Sequence, residues 1–248
     1  DANGLNKVDV ETGKVTPIVK GSLFYGISIS GDGSKVIYYH PTFDSRHMRY
    51  VSLESTDIES GTTTVLVEPT RKLNTGISVA GNTVNAVVDG RAVVTALDET
   101  TPTQAAVASI SYGHLQVTKD GTTVSIDPQG RASYLWPSLN SDATRVVYRL
   151  TGHGTYTCNP DGSDVKEAGN LMAPVWANNT VVVGVHETSG VNQVPASAWL
   201  EAVDTTTGKT QSLTSQSTLV CFPTVSADGS KIAYTTRDGD IYILSVNK

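Results

Sequence analysis

A ten-residue phrase recurs along this chain and constrains its fold more than any other feature. Residues 29–38 read Ile-Ser-Gly-Asp-Gly-Ser-Lys-Val-Ile-Tyr, and residues 225–234 read Val-Ser-Ala-Asp-Gly-Ser-Lys-Ile-Ala-Tyr. A third copy, at 139–148, reads Leu-Asn-Ser-Asp-Ala-Thr-Arg-Val-Val-Tyr. In each copy a tight turn of the Asp-Gly type separates two apolar stretches, which is the pattern of a β-hairpin. Each copy is therefore predicted to join two antiparallel strands.

A second recurring unit surrounds turns that contain Thr-Gly or Ser-Gly. Residues 5–18 and 200–213 share a Val-Asp element followed by Thr-Gly-Lys, and residues 56–65 are a related segment. Apolar and polar residues alternate on both sides of these turns, which predicts a second kind of hairpin. One hairpin of each kind makes a four-stranded sheet. Such sheets, repeated at about 40 to 50 residues, are the blades of a β-propeller.

The spacing of the repeats predicts one all-β domain, 1–248, built from four-stranded blades. Three blades fall at about 22–68, 133–169 and 170–214, whereas 216–248 holds only three strands. The N-terminal hairpin is the natural donor of a fourth, so strands from both ends are expected to close the ring and cover its edges. Residues 70–132 are irregular, because their two poor copies of the phrase stand close together. We therefore expect six blades, with five as the alternative.

Composition excludes two classes of partner. The 18 basic residues are scattered among 24 acidic ones, with a formal net charge of −6, whereas nucleic-acid binders concentrate Lys and Arg on one surface. No apolar run approaches the roughly 18 residues that span a bilayer.

The two cysteines, Cys158 and Cys221, fall in blades that are two apart, whereas the Cα atoms of a disulfide stay within about 7 Å. We expect two buried free thiols.

The best copy of the phrase extends into a family resemblance. Residues 223–234, Pro-Thr-Val-Ser-Ala-Asp-Gly-Ser-Lys-Ile-Ala-Tyr, are followed by Arg-Asp-Gly-Asp-Ile-Tyr-Ile-Leu at 237–244. This pattern resembles the TolB-like and WD-repeat-like β-propeller family. Residues 137–142 fit it in part, and the segment from Pro174 keeps the proline without Asp-Gly. The resemblance implies a propeller that serves as a protein-interaction module or accompanies a peptidase, in a periplasmic or secreted location.

The chain lacks the usual catalytic spacings. It has no Gly-x-Ser-x-Gly elbow, His-Glu-x-x-His pair, Cys-x-x-Cys pair or phosphate-binding glycine loop. The aspartates of the recurring phrase are accordingly interpreted as turn residues, since Asp accepts hydrogen bonds from the backbone just after it.

One concentrated polar cluster, at 39–50, contains His40, Asp44, Arg46 and His47. We place it in the loop after the second strand of its blade, where a propeller presents a binding face. Two imidazoles and a carboxylate from His40, Asp44 and His47 are suitable ligands for a divalent metal, and no other cofactor is expected. The alternatives are a ligand-binding loop without metal, or unrelated loop histidines.

Further candidates follow equivalent strands of other blades. His153 and His186 do so, which would put four histidines on one face of the ring. This arrangement is distantly similar to that of propeller-fold pectin-fragment lyases, which use a histidine-held metal. Trp136 and Trp176 lie at or just before inner strands, where their rings could stack on a sugar, anchor a peptide or pack between blades.

These observations favour a non-enzymatic propeller that recognises a protein or glycan ligand on one face of the ring. The alternative is a metal-dependent, lyase-like carbohydrate-active enzyme that uses the histidines on the same face. The fold alone does not separate them, because propellers host both kinds of function.

Overall fold

The computed structural model describes residues 4–21, 25–190 and 195–246, without the side chain of Ser189. Within these ranges the regular structure consists of β-strands and one 3₁₀ turn, Gln216–Thr218. The all-β prediction is confirmed. In the same ranges, no helix has the length and apolar character needed to cross a membrane.

The chain divides into two compact units. The first comprises Asp1–Val107 and Thr118–Thr123, and the second comprises Ala108–Val117 and Val124–Lys248. The division passes through three short strands, β10 (Val107–Ser111), β11 (His114–Lys119) and β12 (Thr122–Ser125). The single domain expected over 1–248 stays a prediction.

The first unit begins with a two-stranded sheet and continues with antiparallel sheets in chain order. The two-stranded sheet is β1 (Gly4–Val8) with β2 (Val15–Lys20). The next sheet has four strands, β3 (Tyr25–Ile29), β4 (Lys35–Phe43), β5 (Arg49–Asp57) and β6 (Thr63–Thr70). After it come β7 (Leu73–Ala80), β8 (Thr83–Val88) and β9 (Arg91–Ala96), each antiparallel to the one before.

The second unit repeats the same construction three times. Its first sheet contains β13 (Tyr134–Leu139), β14 (Val146–Leu150), β15 (Gly154–Cys158) and β16 (Lys166–Glu167). The next contains β17 (Leu171–Trp176), β18 (Val181–Ser189), β19 (Pro195–Asp204) and β20 (Thr210–Ser212). The last has three strands, β21 (Val220–Val225), β22 (Lys231–Thr236) and β23 (Ile241–Ser245).

The number of sheets agrees with the alternative of five blades rather than with six. Over the described ranges, five sheets have three or more strands. The irregular stretch 70–132 contributes one of them, where a ring of six requires two. Its poor copies of the phrase are the β7–β8 and β11–β12 turns of that sheet. Closure by strands from both ends is not confirmed, since β1–β2 and β21–β23 are counted as separate sheets.

The recurring phrase forms the same turn wherever it is complete. The Asp32 carboxylate accepts hydrogen bonds from the Ser30 hydroxyl at 2.6 Å and from the Ser34 backbone N–H at 3.0 Å. Asp228 accepts the equivalent bonds from Ser226 and Ser230. These donors, the serine hydroxyls first, hold the pKa of both carboxyl groups well below the usual range. The interpretation of these aspartates as turn residues agrees with this geometry.

Each unit has a core of its own. In the first unit Ile37, Tyr39 and Leu53 of the four-stranded sheet pack against Val84 and Ala86 of β8. The second unit contains three buried clusters, and one of them joins neighbouring sheets through Val147, Leu171, Val182 and Val203. Apolar residues from adjacent sheets thus pack against one another within each unit.

Candidate functional site

The first strands of the three sheets in the second unit share one irregularity. Strands β13, β17 and β21 are neighbours in this order, and each contains a β-bulge. In β13 the bulge lies between the pairs Leu135–Arg149 and Ser138–Val147. Trp136 and Pro137 therefore oppose the single residue Tyr148.

The other two strands repeat this arrangement at equivalent positions. Ala173 and Pro174 are the extra pair in β17, and Phe222 and Pro223 are the extra pair in β21. Proline has no backbone N–H to donate to a neighbouring strand, so it is suited to a position where the pairing is interrupted. The Pro that precedes the recurring phrase thus marks the bulge.

The residue before each proline has a left-handed backbone. The φ angles are 48° at Trp136, 46° at Ala173 and 45° at Phe222. For a non-glycine residue this conformation costs about 1–2 kcal/mol. Phe222 is nevertheless 73% exposed and Trp136 39% exposed. We call these three residues the inner-strand surface, because two strained strand positions present aromatic rings to solvent there.

A charged side chain lies beside the bulge in β13. Arg149, opposite Leu135, donates from Nη1 to the Asn170 Oδ1 and to the Leu171 carbonyl, both at 2.9 Å. Partial burial lowers the pKa of Arg149, and the Glu187 carboxylate opposes that shift. The guanidinium is thus fixed in orientation on β14, the strand that pairs with β13.

Trp176 has a packing role. Its indole Nε1 donates to the Ser138 carbonyl at 3.2 Å, and its ring packs against the buried cluster that joins two sheets of the second unit. Of the two tryptophans predicted as binding platforms, Trp176 thus fits the alternative of packing between sheets. Of these two tryptophans, only Trp136 is substantially exposed.

His186 lies within strand β18 and is held by two neighbours. Its Nδ1 is 2.8 Å from Glu201 Oε2, and its ring stacks on Trp199 with centroids 4.3 Å apart. Trp199 is buried, and its Nε1 has no hydrogen-bond partner among the described residues. His153 is exposed in the turn after β14, where its backbone N–H donates to the Leu150 carbonyl. Both histidines stay candidates for ligand contact.

The polar cluster of the first unit is divided between a strand and a turn. His40 lies inside β4, before the loop in which we expected it, and its Nδ1 is 3.0 Å from Glu54 Oε1. The Asp44 Oδ1 accepts the backbone N–H groups of Arg46 and Met48. His47 occupies the left-handed position of that turn, with φ 59°.

These contacts bear on the metal prediction for His40, Asp44 and His47. Over residues 4–21, 25–190 and 195–246, no group of three or more His, Cys, Asp or Glu side chains is arranged to hold a metal ion. The structure thus engages His40 and Asp44 with other partners, and the metal site stays a prediction.

Sequence reasoning missed two carboxylates and one aromatic residue. Glu54 and Glu201 pair with histidines in the same diagonal geometry, because His40 lies opposite Ser52 and His186 lies opposite Trp199, two residues from each glutamate. A His and a Glu about fourteen residues apart, on consecutive strands, would have been the signal. For Phe222, the signal was an aromatic residue before the proline that precedes the phrase.

Comparison with protein-family models and with curated proteins gives no match. Solved structures do resemble the chain. The C-terminal WD40 domain of Sif2 aligns with a TM-score of 0.56 and 10% identity, covering 98% of this chain and 76% of that one. A protein from Bacteroides uniformis, provisionally assigned as a 6-phosphogluconolactonase, aligns with a TM-score of 0.57 and 13% identity, covering 98% and 87%.

An oligogalacturonate lyase in complex with manganese aligns over 100% of this chain and 73% of its own, with 16% identity and a TM-score of 0.48. Identities this low show a fold and no more, and of these three alignments the two with TM-scores above 0.5 support it. From its small antiparallel sheets and those two likenesses, we conclude that the chain has the β-propeller fold.

Proposed function

We propose that this protein is a non-enzymatic binding module that recognises a protein or glycan ligand through the inner-strand surface, Trp136, Ala173 and Phe222. The observation that carries the proposal is that strain and exposure recur at equivalent bulge positions of neighbouring strands. Two aromatic residues have left-handed backbones and yet leave much of their side chains in solvent. Packing within the fold does not account for exposed rings at such positions, and strained residues cluster at ligand-binding sites.

The chemistry of the surface suits a ligand with a flat apolar face. An aromatic ring offers a large contact area at a small cost in side-chain entropy, which is why such residues dominate binding surfaces. Ala173, at the equivalent position of the middle strand, has a small side chain beside the two larger rings. Arg149, paired with Leu135 beside the bulge of β13, adds a guanidinium held in a fixed orientation.

Binding to a panel of immobilised glycans and peptides tests the proposal. Trp136→Ala and Phe222→Ala are each expected to weaken binding of the recognised ligand by at least tenfold, since truncating a central aromatic contact has effects of that order. Tyr112→Ala is the matched control, because Tyr112 lies in the same unit, is 85% exposed and also has a positive φ, 50°. Equal binding by all variants would contradict the proposal.

The alternative proposal is a metal-dependent, lyase-like carbohydrate-active enzyme. The cross-strand pairs His40–Glu54 and His186–Glu201 favour it, because a carboxylate on one ring nitrogen orients the other nitrogen for a metal or substrate. Metal analysis of the purified protein separates the two proposals. Stoichiometric Mn, Zn or Ca that is lost in His40→Ala and His47→Ala supports the enzyme. The binding module predicts equal metal content in all three proteins.

We also propose that the protein is periplasmic or secreted and that its terminal strands close the ring. The resemblance of 223–244 to TolB-like propellers supports the location, and cell fractionation tests it.

The closure of the ring is supported by the last sheet, which has three strands where a blade has four. Removal of residues 1–20 should then destabilise the last sheet. The measurement is the rate of backbone hydrogen exchange in β23, which should rise.

A further inference from the structure

A cleft of about 230 Å³ opens in the first unit, and none of the candidate site residues named in the sequence analysis lines it. Its polar lining consists of two arginines, a tyrosine and two threonines, namely Arg49, Arg71, Tyr25, Thr70 and Thr75. The polar lining contains cations and hydroxyl groups and no carboxylate. This composition selects for a negatively charged guest.

Neither arginine has a carboxylate partner among the described residues. Where the structure describes the chain, the Lys and Arg side chains within 4.0 Å of a carboxylate are Lys35, Lys72, Arg145 and Lys166, and neither Arg49 nor Arg71 is among them. The chain as a whole carries more acidic than basic residues, 24 against 18. Two permanently charged guanidinium groups that line one cleft repel each other until an anion lies between them.

The register of the sheet brings the two arginines together. Val51 of β5 pairs with Thr70 of β6, so Arg49 and Arg71 both lie just beyond that pair, at the same end of the two strands. Val51 and Leu73 supply the apolar part of the lining. The cleft is therefore built by regular strands and not by a long loop.

Tyr25 holds Arg49 in a defined orientation. The Arg49 Nη2 donates to the Tyr25 hydroxyl at 2.6 Å, and the guanidinium carbon lies 5.2 Å from the centre of the Tyr25 ring. Tyr25 in turn packs on Tyr39, with ring centroids 5.1 Å apart, and the Tyr39 hydroxyl donates to the Asn74 carbonyl. The buried Tyr39 thus anchors the assembly to the core.

The remaining donors are free to meet a ligand. A guanidinium has five N–H groups. Of the two guanidinium groups in the cleft, only that of Arg49 has a hydrogen-bond acceptor within the described residues, namely the Tyr25 hydroxyl, which its Nη2 contacts. Thr70 Oγ1 accepts the backbone N–H of Lys72 and keeps its own hydroxyl proton for donation. Two guanidinium groups and a hydroxyl around one small volume offer several donors to a planar or tetrahedral oxyanion, and Tyr25 holds one of the two guanidinium groups in orientation.

We propose that this cleft binds a small oxyanion, the carboxylate or phosphate group of a ligand, between Arg49 and Arg71. Tyr25 acts as a positioning residue, because it orients Arg49 without replacing its charge. The proposal is independent of the inner-strand surface, which lies in the other unit and is tested with different variants.

Calorimetric titration at low ionic strength, with inorganic phosphate and separately with succinate, tests the proposal. Arg49→Gln and Arg71→Gln should each weaken binding by about tenfold or more, since each removes a charge-assisted contact. Tyr25→Phe should weaken it by about threefold through loss of one hydrogen bond, with an unchanged melting temperature. Arg91→Gln removes one charge from the same unit outside the cleft and is the matched control.

The two probes separate the possible sources of the oxyanion. Tighter binding of phosphate identifies a phosphorylated ligand, and tighter binding of succinate identifies a carboxylate. The proposal is overturned if neither probe binds the wild-type chain, or if Arg91→Gln weakens binding as much as the cleft variants do. Arg49 and Arg71 are both exposed, so their substitution should leave thermal unfolding unchanged.

Discussion

Trp136 bulges out of its strand directly opposite Tyr148, the buried final residue of the recurring phrase. Phe222 has the same relationship to Tyr234. The Tyr148 ring packs between Tyr134 and Tyr156, at centroid distances of 5.5 and 6.0 Å. The phrase therefore supplies more than a turn. Its closing tyrosine is the large buried residue against which the exposed bulge is formed.

Removing the strain at Phe222 should leave the fold as stable as before or make it more stable. Phe222 is 73% exposed and has a φ of 45°, so Phe222→Gly loses little burial and relaxes the left-handed backbone. We expect the free energy of unfolding in urea to stay the same or rise by about 1 kcal/mol. Ile241→Gly, at an exposed position without positive φ, should instead lose about 1 kcal/mol. A clear loss of stability in Phe222→Gly would show that the ring is structural.

The bulge in β3 requires glycine for a reason of space as well as of backbone conformation. Gly26 has a φ of 59°, and a Cβ there would collide with the Tyr39 ring. Gly26→Ala should lower the free energy of unfolding by about 2–4 kcal/mol, through left-handed strain together with overpacking. Gly13→Ala is the matched control, since Gly13 has a φ of 70° and open space around it. A similar loss in both variants would argue against the collision.

Acid should weaken the fold through its turn aspartates. Hydrogen bonds from Thr206 and Thr207 lower the pKa of Asp204 to about 2, and those from Ser226 and Ser230 lower the pKa of Asp228 further. Because the folded state favours the ionised form, this stabilisation is complete above the unfolded pKa of about 4 and is lost as the pH falls towards 2.

Calorimetry between pH 5 and pH 2 measures this effect. Asp204→Asn and Asp228→Asn should each reduce the fall in melting temperature across that range, because the amide does not titrate. Asp238→Asn, in a turn of the last sheet, serves for comparison. A wild-type melting temperature that is constant from pH 4 to pH 2 would disprove the assignment.

The two cysteines should differ in reactivity. Burial raises the pKa of Cys158 to about 12, whereas Cys221 is only half-buried. At pH 8 a thiol reagent should modify one cysteine of the folded protein quickly and both in urea. Cys221→Ser should abolish the fast reaction. Fewer than two reactive thiols in urea without reductant would reveal a disulfide, contrary to the free thiols that the structure shows.

Local chemistry explains which predictions from the sequence agree with the structure. The Asp-Gly and Thr-Gly turns depend on residues within five positions of one another, so their hairpins could be located without knowledge of the rest of the chain. Both cysteines are free, as their separation along the repeats predicted, but only Cys158 is buried and the expected burial of Cys221 is wrong. The aspartates could be recognised as turn residues for the same reason, since their partners are two residues away.

The candidate sites were harder to predict from the sequence, because their contacts join distant parts of the chain. The pairs His40–Glu54 and His186–Glu201 exist only once neighbouring strands are in register. The oxyanion cleft needs Tyr25, Arg49 and Arg71 from three strands or strand ends. Of these residues, only His40 and Arg49 lie in the polar cluster at 39–50, and that cluster does not indicate their partners.

By itself, then, the sequence determined that the chain is all-β, where its turns lie and that small sheets repeat along it. The tertiary structure decided the number of sheets, because the strands of 70–132 pair at long range. It also decided that Trp136 is exposed while Trp176 packs between sheets. The physical reason is that turns are stabilised by neighbours in sequence, whereas bulges, clefts and cross-strand pairs depend on which strands lie side by side.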